Sequence, residues 1–362
     1  MQTLKAVIAV AFYAIATPVI AQEREPTVML AQACGGLPVA DACGLIAEAA
    51  TMLRPSYAAQ KETDGEAAFR ALGYEAEYIP ARTTLHRPVT DVFLVSRPGS
   101  NRLFVVITGT ESLLDWVSNA RFTPYTGTYR DGEFYAPPGH GGFRGGLIDM
   151  IAAGILRENE FDAQPLNCPA RPGARSLLSE FLCRPGIRSG PAPMELVIVG
   201  HSRGAGIGVM AAAALTGYEV KRPSPTGPAS VGQQQHWPLR LHAIIGFAPP
   251  YAISKAADAE LGLPVPAGIS DHETILRQLG VPDRTIMFIN DRDIVPSLSF
   301  GQARHRGHLF RIRRDGAVVR EGSNWGREGG LLEAHGSAGY CTDVLSALGR
   351  PLQCEPRSVE EE

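Results

Sequence analysis

The sequence has little that would mark a membrane-embedded, nucleic-acid-binding or metal-dependent protein. After the first 20 residues, the 362-residue chain has no long apolar run, so we expect no transmembrane segment in the mature protein. The 34 Lys and Arg nearly balance the 37 Asp and Glu, and the net charge of −3 gives no reason to expect a nucleic-acid partner. Cys-x-x-Cys pairs and zinc-type Cys/His spacings are absent. We therefore expect no metal ion and no cofactor, so that any chemistry rests on side chains.

The long apolar run lies at the N-terminus. Lys5 is the only charge before the run of residues 6–20, and the small residues at its end offer a cleavage site before Gln22. This pattern is typical of a secretory signal peptide. We expect residues 1–21 to be that signal peptide, residues 22–362 to form a single domain, and the protein to be secreted or periplasmic.

Export makes the cysteines informative, because disulfides form in oxidising compartments. The six cysteines fall into three local couples, each of which would close a short loop. The predicted disulfides are Cys34–Cys43, Cys168–Cys183 and Cys341–Cys354. The second couple lies in the proline-rich residues 157–193, which we interpret as a disulfide-stapled insertion.

The rest of the chain is arranged around Gly200-His201-Ser202-Arg203-Gly204. The apolar, mostly β-branched residues 196–199 precede this segment, and the small residues 207–215 follow it in a helical pattern. Strand, Gly-x-Ser-x-Gly and helix is the layout of a nucleophile elbow. It predicts that Ser202 lies at the tip of a sharp, strained turn with its hydroxyl exposed.

Strand and helix patterns alternate along the chain. Strands are predicted at residues 91–96, 103–107, 196–199, 241–247, 285–289, 308–313 and 318–320, and helices at 39–53, 65–72, 145–156, 176–182, 207–215, 271–279 and 340–348. The alternation predicts an α/β fold with a mostly parallel central sheet flanked by helices, and surface loops at 123–142 and 221–238. In such a sheet the carboxyl ends of the strands meet at one edge, so Thr110, Ser202, Pro249 and Asp293 are expected to converge there.

A serine hydroxyl is a poor nucleophile unless a histidine takes its proton and a carboxylate orients that histidine. In α/β-hydrolases the three occur in the order serine, acid, histidine. Asp293 follows a predicted strand and is the favoured acid, with Asp291 as its rival. The histidines after these acids are His305, His308 and His335. We favour His335, because it lies on a glycine-rich loop before a helix, where its ring can be presented to Ser202.

Several segments, in chain order, resemble the class 3 (fungal-type) lipases of the α/β-hydrolase superfamily. They are Val106–Ser112 with Asp115-Trp116, His140–Phe143, Ile198–Gly204, Gly246–Pro249, Asn290–Pro296, and His335 with Tyr340. The Asn290–Pro296 segment is similar to the family's Asn-x-x-Asp-x-Val-Pro, which favours Asp293 over Asp291. The resemblance thus implies an α/β-hydrolase fold, and the cysteine couples add the expectation of disulfide-stapled insertions to it.

The resemblance also implies catalytic roles at the matching positions. Ser202 would attack the ester carbonyl, His335 would act as general base and then general acid, and Asp293 would orient His335. Thr110, through its N–H with or without its hydroxyl, and the N–H of Arg203 would form the oxyanion hole.

The segment 112–122 would be a lid in such an enzyme. Its residues Leu113, Trp116 and Val117 would contact substrate or a lipid interface.

Two residues depart from the family pattern. Thr108 stands where the family usually has Arg, and Arg203 stands where it usually has Leu. Arg203 has two interpretations: it changes substrate preference, or it points away from the site and pairs with an acid.

The favoured function is a secreted serine ester hydrolase of lipid metabolism, a lipase-like enzyme that cleaves acylglycerols or related esters through an acyl-enzyme. On the same scaffold, a polyester depolymerase, a phospholipase A1 or an aryl-ester esterase is an alternative. A catalytically inactive binding protein of the cell envelope is the non-enzymatic alternative.

Overall fold

A computed structural model describes the greater part of the chain. The described residues are 29–81, 90–109, 124–128, 135–156, 168, 176–188, 192–221, 230–233, 237–250, 253–254, 276–277, 280–293, 295–297, 303–304, 307–313, 315–321, 335–351 and 354. The expected signal peptide therefore lies outside them. In the described residues, no helix is both long and apolar enough to span a bilayer.

Helices and strands alternate through the described residues, as the sequence predicts. The helices are α1 (Leu30–Ala33), α2 (Ala42–Ser56), α3 (Glu66–Ala71), α4 (Gly141–Ala152), α5 (Leu177–Leu182), α6 (Arg203–Leu215), α7 (Val281–Arg284) and α8 (Ser337–Ala347). The strands are β1 (Glu75–Ala81), β2 (Thr90–Ser96), β3 (Arg102–Ile107), β4 (Pro124–Thr128), β5 (Tyr135–His140), β6 (Met194–His201), β7 (Tyr218–Lys221), β8 (Ser230–Gln233), β9 (Leu239–Phe247), β10 (Ile253–Ser254), β11 (Thr285–Asn290), β12 (Ala303–Arg304), β13 (His308–Ile312) and β14 (Val318–Glu321). Short 3₁₀ turns at Cys34–Gly36 and Val295–Ser297 and a π-helical turn at Lys61–Gly65 complete them.

The main sheet has eight strands in the order β1-β2-β3-β6-β9-β11-β13-β14. The pairings from β3 through β6, β9 and β11 to β13 are parallel. The pairings β1–β2, β2–β3 and β13–β14 are antiparallel. The predicted mostly parallel sheet is thus confirmed, and β3, β6, β9 and β11 end at the same edge.

The sheet is buried on both faces, because side chains alternate along each strand. On β6, Leu196 and Ile198 join the apolar cluster that includes α4, α5 and α6. Val197 and Val199 of the same strand join the opposite cluster, which includes α2 and α8. A strand covered on both sides is apolar throughout, which is why residues 196–199 read as one continuous apolar run.

All three predicted disulfides are present: Cys34–Cys43, Cys168–Cys183 and Cys341–Cys354. The first attaches the chain before α2 to that helix, and the third attaches α8 to the segment after it. The second joins Cys168 of the predicted insertion to the end of α5, whose first turn is capped by Ser176 through the Ser179 N–H at 3.1 Å.

Three predictions about local structure were wrong. Residues 123–142 and 221–238, expected to be loops, contain β4, β5 and β8; β4 pairs antiparallel with β5, and β8 with β7, which ends at Lys221. Helix α4 begins at Gly141 rather than at 145, and β1 was not predicted. These strands depend on backbone pairing and carry Gly, Pro or polar residues, so their sequences lack the alternation of apolar side chains that predicts a strand.

The elbow requires glycine at position 204. A Cβ there would lie 2.7 Å from the carbonyl carbon of Ile107, at the end of β3. We expect Gly204→Ala to lower the free energy of unfolding by about 2–3 kcal/mol, measured by urea denaturation, because the backbone must move to admit the methyl group.

Gly339 provides a matched control for that substitution. It lies in α8, and a Cβ there would meet no atom within 4 Å. Gly339→Ala should raise the free energy of unfolding by about 0.5–1 kcal/mol, as expected for Gly-to-Ala in a helix. Equal stability of the two variants would contradict the close approach of elbow and β3.

Candidate active site

Ser202 lies between the end of β6 and the start of α6, in a strained backbone conformation. Its φ of 54° and ψ of −128° lie outside the regions favoured for L-residues. Such a conformation costs on the order of 1–3 kcal/mol and persists only where its surroundings hold it. The Ser202 N–H donates to the Phe247 carbonyl at 2.8 Å, which ties the turn to the end of β9. The side chain is nevertheless almost fully covered, since Ser202 is 2% exposed.

A continuous line of hydrogen bonds joins Ser202, His335 and Asp293. The Oγ of Ser202 lies 2.7 Å from Nε2 of His335, and Nδ1 of the same ring lies 2.8 Å from Oδ2 of Asp293. Ser202 follows the end of β6, His335 lies just before α8, and Asp293 lies in the loop after β11. The sheet topology brings the three together. In this geometry the imidazole has a proton donor on one side and a carboxylate on the other, as serine activation requires.

Asp293 is held by two further hydrogen bonds. Its Oδ1 accepts the N–H of Val295 at 2.9 Å, and its Oδ2 accepts the hydroxyl of Tyr340 at 2.8 Å. The Tyr340 oxygen in turn accepts the N–H of Asn290 at 2.9 Å. Burial and the nearby Asp293 charge raise the pKa of Tyr340 well above its usual range, so the hydroxyl keeps its proton and acts as a donor.

The rival candidates are engaged elsewhere. Asp291 is also buried, but its Oδ1 lies 2.8 Å from Nε of Arg311, and the pair lies beside the site rather than in it. His308 lies on β13, where its Nδ1 is 2.8 Å from Nη2 of Arg320. Burial and the Arg320 charge lower the pKa of His308. His305 lies outside the described residues.

Arg203 points away from the serine. Its side chain is 3% exposed, and its Nη2 donates to the Thr90 hydroxyl on β2 at 3.2 Å. Of the two interpretations of this residue, the geometry favours the one in which the guanidinium is directed into the protein. Its backbone opens α6, whose first N–H groups point out of the helix toward the Ser202 turn.

The segment after β3 passes directly over the serine. A Cβ at Gly109 would lie 2.7 Å from the Cβ of Ser202, so only glycine fits there. Thr110, the next residue and the predicted oxyanion donor, lies outside the described residues. So do the predicted lid residues Leu113, Trp116 and Val117.

Thr108, where the family usually has Arg, is buried beside a polar cluster on β2. Its N–H donates to the Asp91 carbonyl at 3.0 Å. The Asp91 carboxylate accepts the Tyr78 hydroxyl at 2.6 Å and lies 2.8 Å from Nζ of Lys61. The approach to the oxyanion segment is therefore supported by a partly buried ion pair rather than by an arginine at position 108.

Comparison with known proteins shows the family of the chain. The family model described as Lipase (class 3) matches residues 104–303, which is more than half of the chain and includes most of β3, the elbow and Asp293. The chain belongs to the class 3 lipase family. It is a serine ester hydrolase of the lipase type. Among curated proteins, none matches this class 3 lipase.

Solved structures of lipases share its fold. The lipase from Rhizopus microsporus var. chinensis is 15% identical, with a TM-score of 0.51 and coverage of 92% of this chain and 94% of that one. A triacylglycerol lipase with a serine-protease-type triad is 14% identical, with a TM-score of 0.51 and coverage of 84% and 98%. The Rhizomucor miehei lipase in its propeptide complex, as a deletion mutant, is 14% identical, with a TM-score of 0.50 and coverage of 94% and 96%. At these identities the likeness shows the α/β-hydrolase fold.

Sequence reasoning missed two residues that lie against the site, Tyr57 and His201. The ring of His201 lies 4.9 Å from that of His335, centroid to centroid. The hydroxyl of Tyr57, which directly follows α2, lies 2.7 Å from Nδ1 of His201. His201 was visible as the variable residue of Gly-x-Ser-x-Gly, but nothing in the pattern assigns it a function. Tyr57 is separated from the elbow by 144 residues and carries no local signal.

Tyr340→Phe tests how far Asp293 depends on its tyrosine. The change removes one donor to Oδ2 and leaves the buried Asn290 N–H without its acceptor. We expect kcat for a soluble p-nitrophenyl ester to fall about 10-fold, which corresponds to one charge-assisted hydrogen bond of roughly 1.5 kcal/mol.

The matched control for Tyr340→Phe is Tyr218→Phe. Tyr218 is a half-buried tyrosine that packs on the opposite apolar cluster, which includes α6. Its loss of a hydroxyl should leave kcat within about twofold. If both variants turned over like the wild type, the Tyr340 hydroxyl would have no part in orienting Asp293.

Proposed function

We propose that Ser202, His335 and Asp293 are the catalytic triad of this lipase. The observation that carries the proposal is the unbroken line from the Ser202 Oγ through the His335 ring to Asp293, with distances of 2.7 and 2.8 Å. A fully buried carboxylate with three hydrogen bonds holds the imidazole with its Nε2 toward the serine.

The reaction follows from these positions. His335 takes the Oγ proton as Ser202 attacks the ester carbonyl, and returns it to the leaving alcohol as the acyl-enzyme forms. Water then attacks the acyl carbon with His335 again as general base, and His335 returns that proton to the Ser202 Oγ as the acid is released. The oxyanion of each tetrahedral intermediate is stabilised by the backbone N–H of Arg203 and by Thr110, and losing one such donor typically costs about 10²–10³ in turnover.

The proposed substrate is an acylglycerol or a related ester presented at a lipid interface. Membership of the lipase family supports this class of substrate. Leu113, Trp116 and Val117, in the lid segment 112–122, supply the apolar contact to lipid. The three disulfides support an oxidising location. Together with the N-terminal pattern, they support a secreted or periplasmic enzyme. Its proposed domain spans residues 22–362.

An acyl-chain series tests the substrate class. Rates are measured on p-nitrophenyl esters of increasing chain length, and then on emulsified triglyceride and phospholipid, above and below the concentration at which an interface forms. The rate of a lipase should rise with acyl-chain length, because each CH₂ buried in an acyl groove contributes about 0.8 kcal/mol to binding. The rate should rise again when the lipid interface forms.

The alternatives give different profiles in the same series. Absence of turnover on acyl chains longer than about eight carbons indicates an esterase. A lipase should still bind such chains more tightly, by roughly 0.8 kcal/mol for each CH₂ buried in its acyl groove. Preference for phospholipid indicates a phospholipase A1, and release of soluble acids from a polyester film indicates a depolymerase. Turnover of none of these esters would contradict the proposal.

A further inference from the structure

Three hydrogen bonds connect the backbone before the oxyanion position to the backbone of His335. The Gly109 N–H donates to the Tyr57 hydroxyl oxygen at 2.8 Å. That hydroxyl lies 2.7 Å from Nδ1 of His201, and Nε2 of His201 lies 2.9 Å from the carbonyl oxygen of His335. Tyr57 and His201 therefore bridge two segments that both contact Ser202.

The direction of each bond is fixed by elimination. A backbone N–H only donates and a backbone carbonyl only accepts, so the Tyr57 oxygen accepts from Gly109 and Nε2 of His201 donates to the His335 carbonyl. The single proton of a neutral imidazole is then on Nε2, so Nδ1 carries none and accepts the proton of the Tyr57 hydroxyl. For a neutral ring, no other assignment satisfies all three contacts.

This arrangement requires His201 to be neutral. His201 is 4% exposed, and burial, together with the neighbouring His335, lowers the pKa of His201 well below its usual range. During turnover His335 becomes positively charged with its ring only 4.9 Å away, centroid to centroid. A neutral His201 holds the His335 backbone without adding a second positive charge beside the first.

We infer that Tyr57 and His201 are a pair of positioning residues that align the Gly109 peptide and the His335 main chain relative to Ser202. The inference rests on the proposed function, since it assigns the pair an effect on the step carried out by Ser202 and His335. Neither residue touches the reacting atoms. Their effect should therefore fall on kcat, because a small misplacement of an aligned group lowers the rate of the chemical step more than it lowers binding.

Tyr57→Phe is the principal test, because it removes one oxygen and keeps the ring that packs against His201 at 5.3 Å. We expect kcat for p-nitrophenyl butyrate to fall about 10- to 100-fold, with KM within about twofold. The rate of Ser202 phosphonylation should fall by a similar factor. A kcat within about twofold of the wild type would overturn the inference.

Tyr74→Phe is the matched control. Tyr74 is 4% exposed, and its hydroxyl donates to Glu48 at 2.5 Å and accepts from Arg97 at 3.0 Å, so it too loses two hydrogen bonds. It precedes β1 and packs on Phe104 near the start of β3, at the opposite end of that strand from Gly109. Tyr74→Phe should leave kcat within about twofold of the wild type. An equal loss of kcat in both variants would indicate that losing any buried tyrosine hydroxyl disturbs the packing of the protein, and would overturn the inference.

The coupling between the two residues is measured with a double-mutant cycle of Tyr57→Phe and His201→Leu. If they act as one unit, the double variant should lose no more of kcat than the worse single variant. Losses that multiply would show that the residues act independently. Should His201→Leu fail to fold, ¹⁵N NMR of the wild-type imidazoles decides instead. The inference expects His201 to be unprotonated at Nδ1 and protonated at Nε2 near pH 7, and the reverse would overturn it.

Failure of the inference is distinguishable from failure of the proposed function. If Ser202→Ala keeps wild-type turnover, the triad itself is wrong. If Ser202→Ala is inactive while Tyr57→Phe keeps its kcat, the triad stands and only the positioning pair is wrong.

Discussion

Ser202→Ala should lower kcat on a soluble p-nitrophenyl ester by at least about 10⁴-fold, with little change in thermal stability. The Oγ is the atom that would bond to the acyl carbon, and the other groups of the site do not replace it. Residual turnover from the oxyanion donors and substrate binding is expected to be far below that of the wild type. The measurement is steady-state kinetics with enzyme freed of contaminating esterase.

Ser96→Ala is the matched control for this loss. Ser96 is buried on β2, and its hydroxyl donates to the Arg102 carbonyl at 2.9 Å, away from the end of the sheet where Ser202 lies. Its substitution should leave kcat within about twofold. If Ser202→Ala retained turnover comparable to Ser96→Ala, Ser202 would not be the nucleophile.

Asp293→Asn should lower kcat by about 10³–10⁴-fold without preventing folding. The amide carries no charge, so the protonated imidazole is no longer stabilised. Where the amide presents an N–H to Nδ1 of His335, it also forces the imidazole into the wrong tautomer. The loss should appear in kcat on soluble and emulsified substrates alike. Single-turnover acylation of the variant is the measurement that isolates the chemical step.

Asp291→Asn is the control because the two aspartates are two residues apart and both buried. Its carboxylate pairs with Arg311 at 2.8 Å, so its loss should lower the thermal midpoint while leaving kcat within about threefold, since the pair lies outside the hydrogen-bonded line to Ser202. If Asp291→Asn were the inactive variant and Asp293→Asn the active one, the assignment of the acid would be wrong.

The arrangement of the main sheet could be predicted from local patterns because the parallel strands are buried on both faces. Runs such as 196–199 and 286–289 are apolar throughout, and the polar residues that follow them mark the ends of strands. Ser202 and Asp293 each follow such an end, so their convergence was predictable before any contact was known. The disulfides were predictable for the same reason, because each joins two cysteines that are close together in the sequence.

The support of the site could not be predicted, because it depends on contacts between distant parts of the chain. Tyr57 follows a helix and has no motif, yet its hydroxyl touches both the Gly109 N–H and His201. In the sequence, Tyr340 is only an aromatic residue near His335. Its hydrogen bond to Asp293 depends on the way α8 packs against the end of β11. The orientation of Arg203 likewise depends on Thr90, a residue 113 positions away.

The most direct test of the central claim is intact-mass analysis after reaction with an alkyl p-nitrophenyl phosphonate, followed by peptide mapping. The account predicts one phosphonate per chain, located on Ser202, with activity lost in proportion to labelling, and no labelling of Ser202→Ala. Labelling that persists in Ser202→Ala, or a fully active wild-type enzyme carrying no adduct, would contradict it.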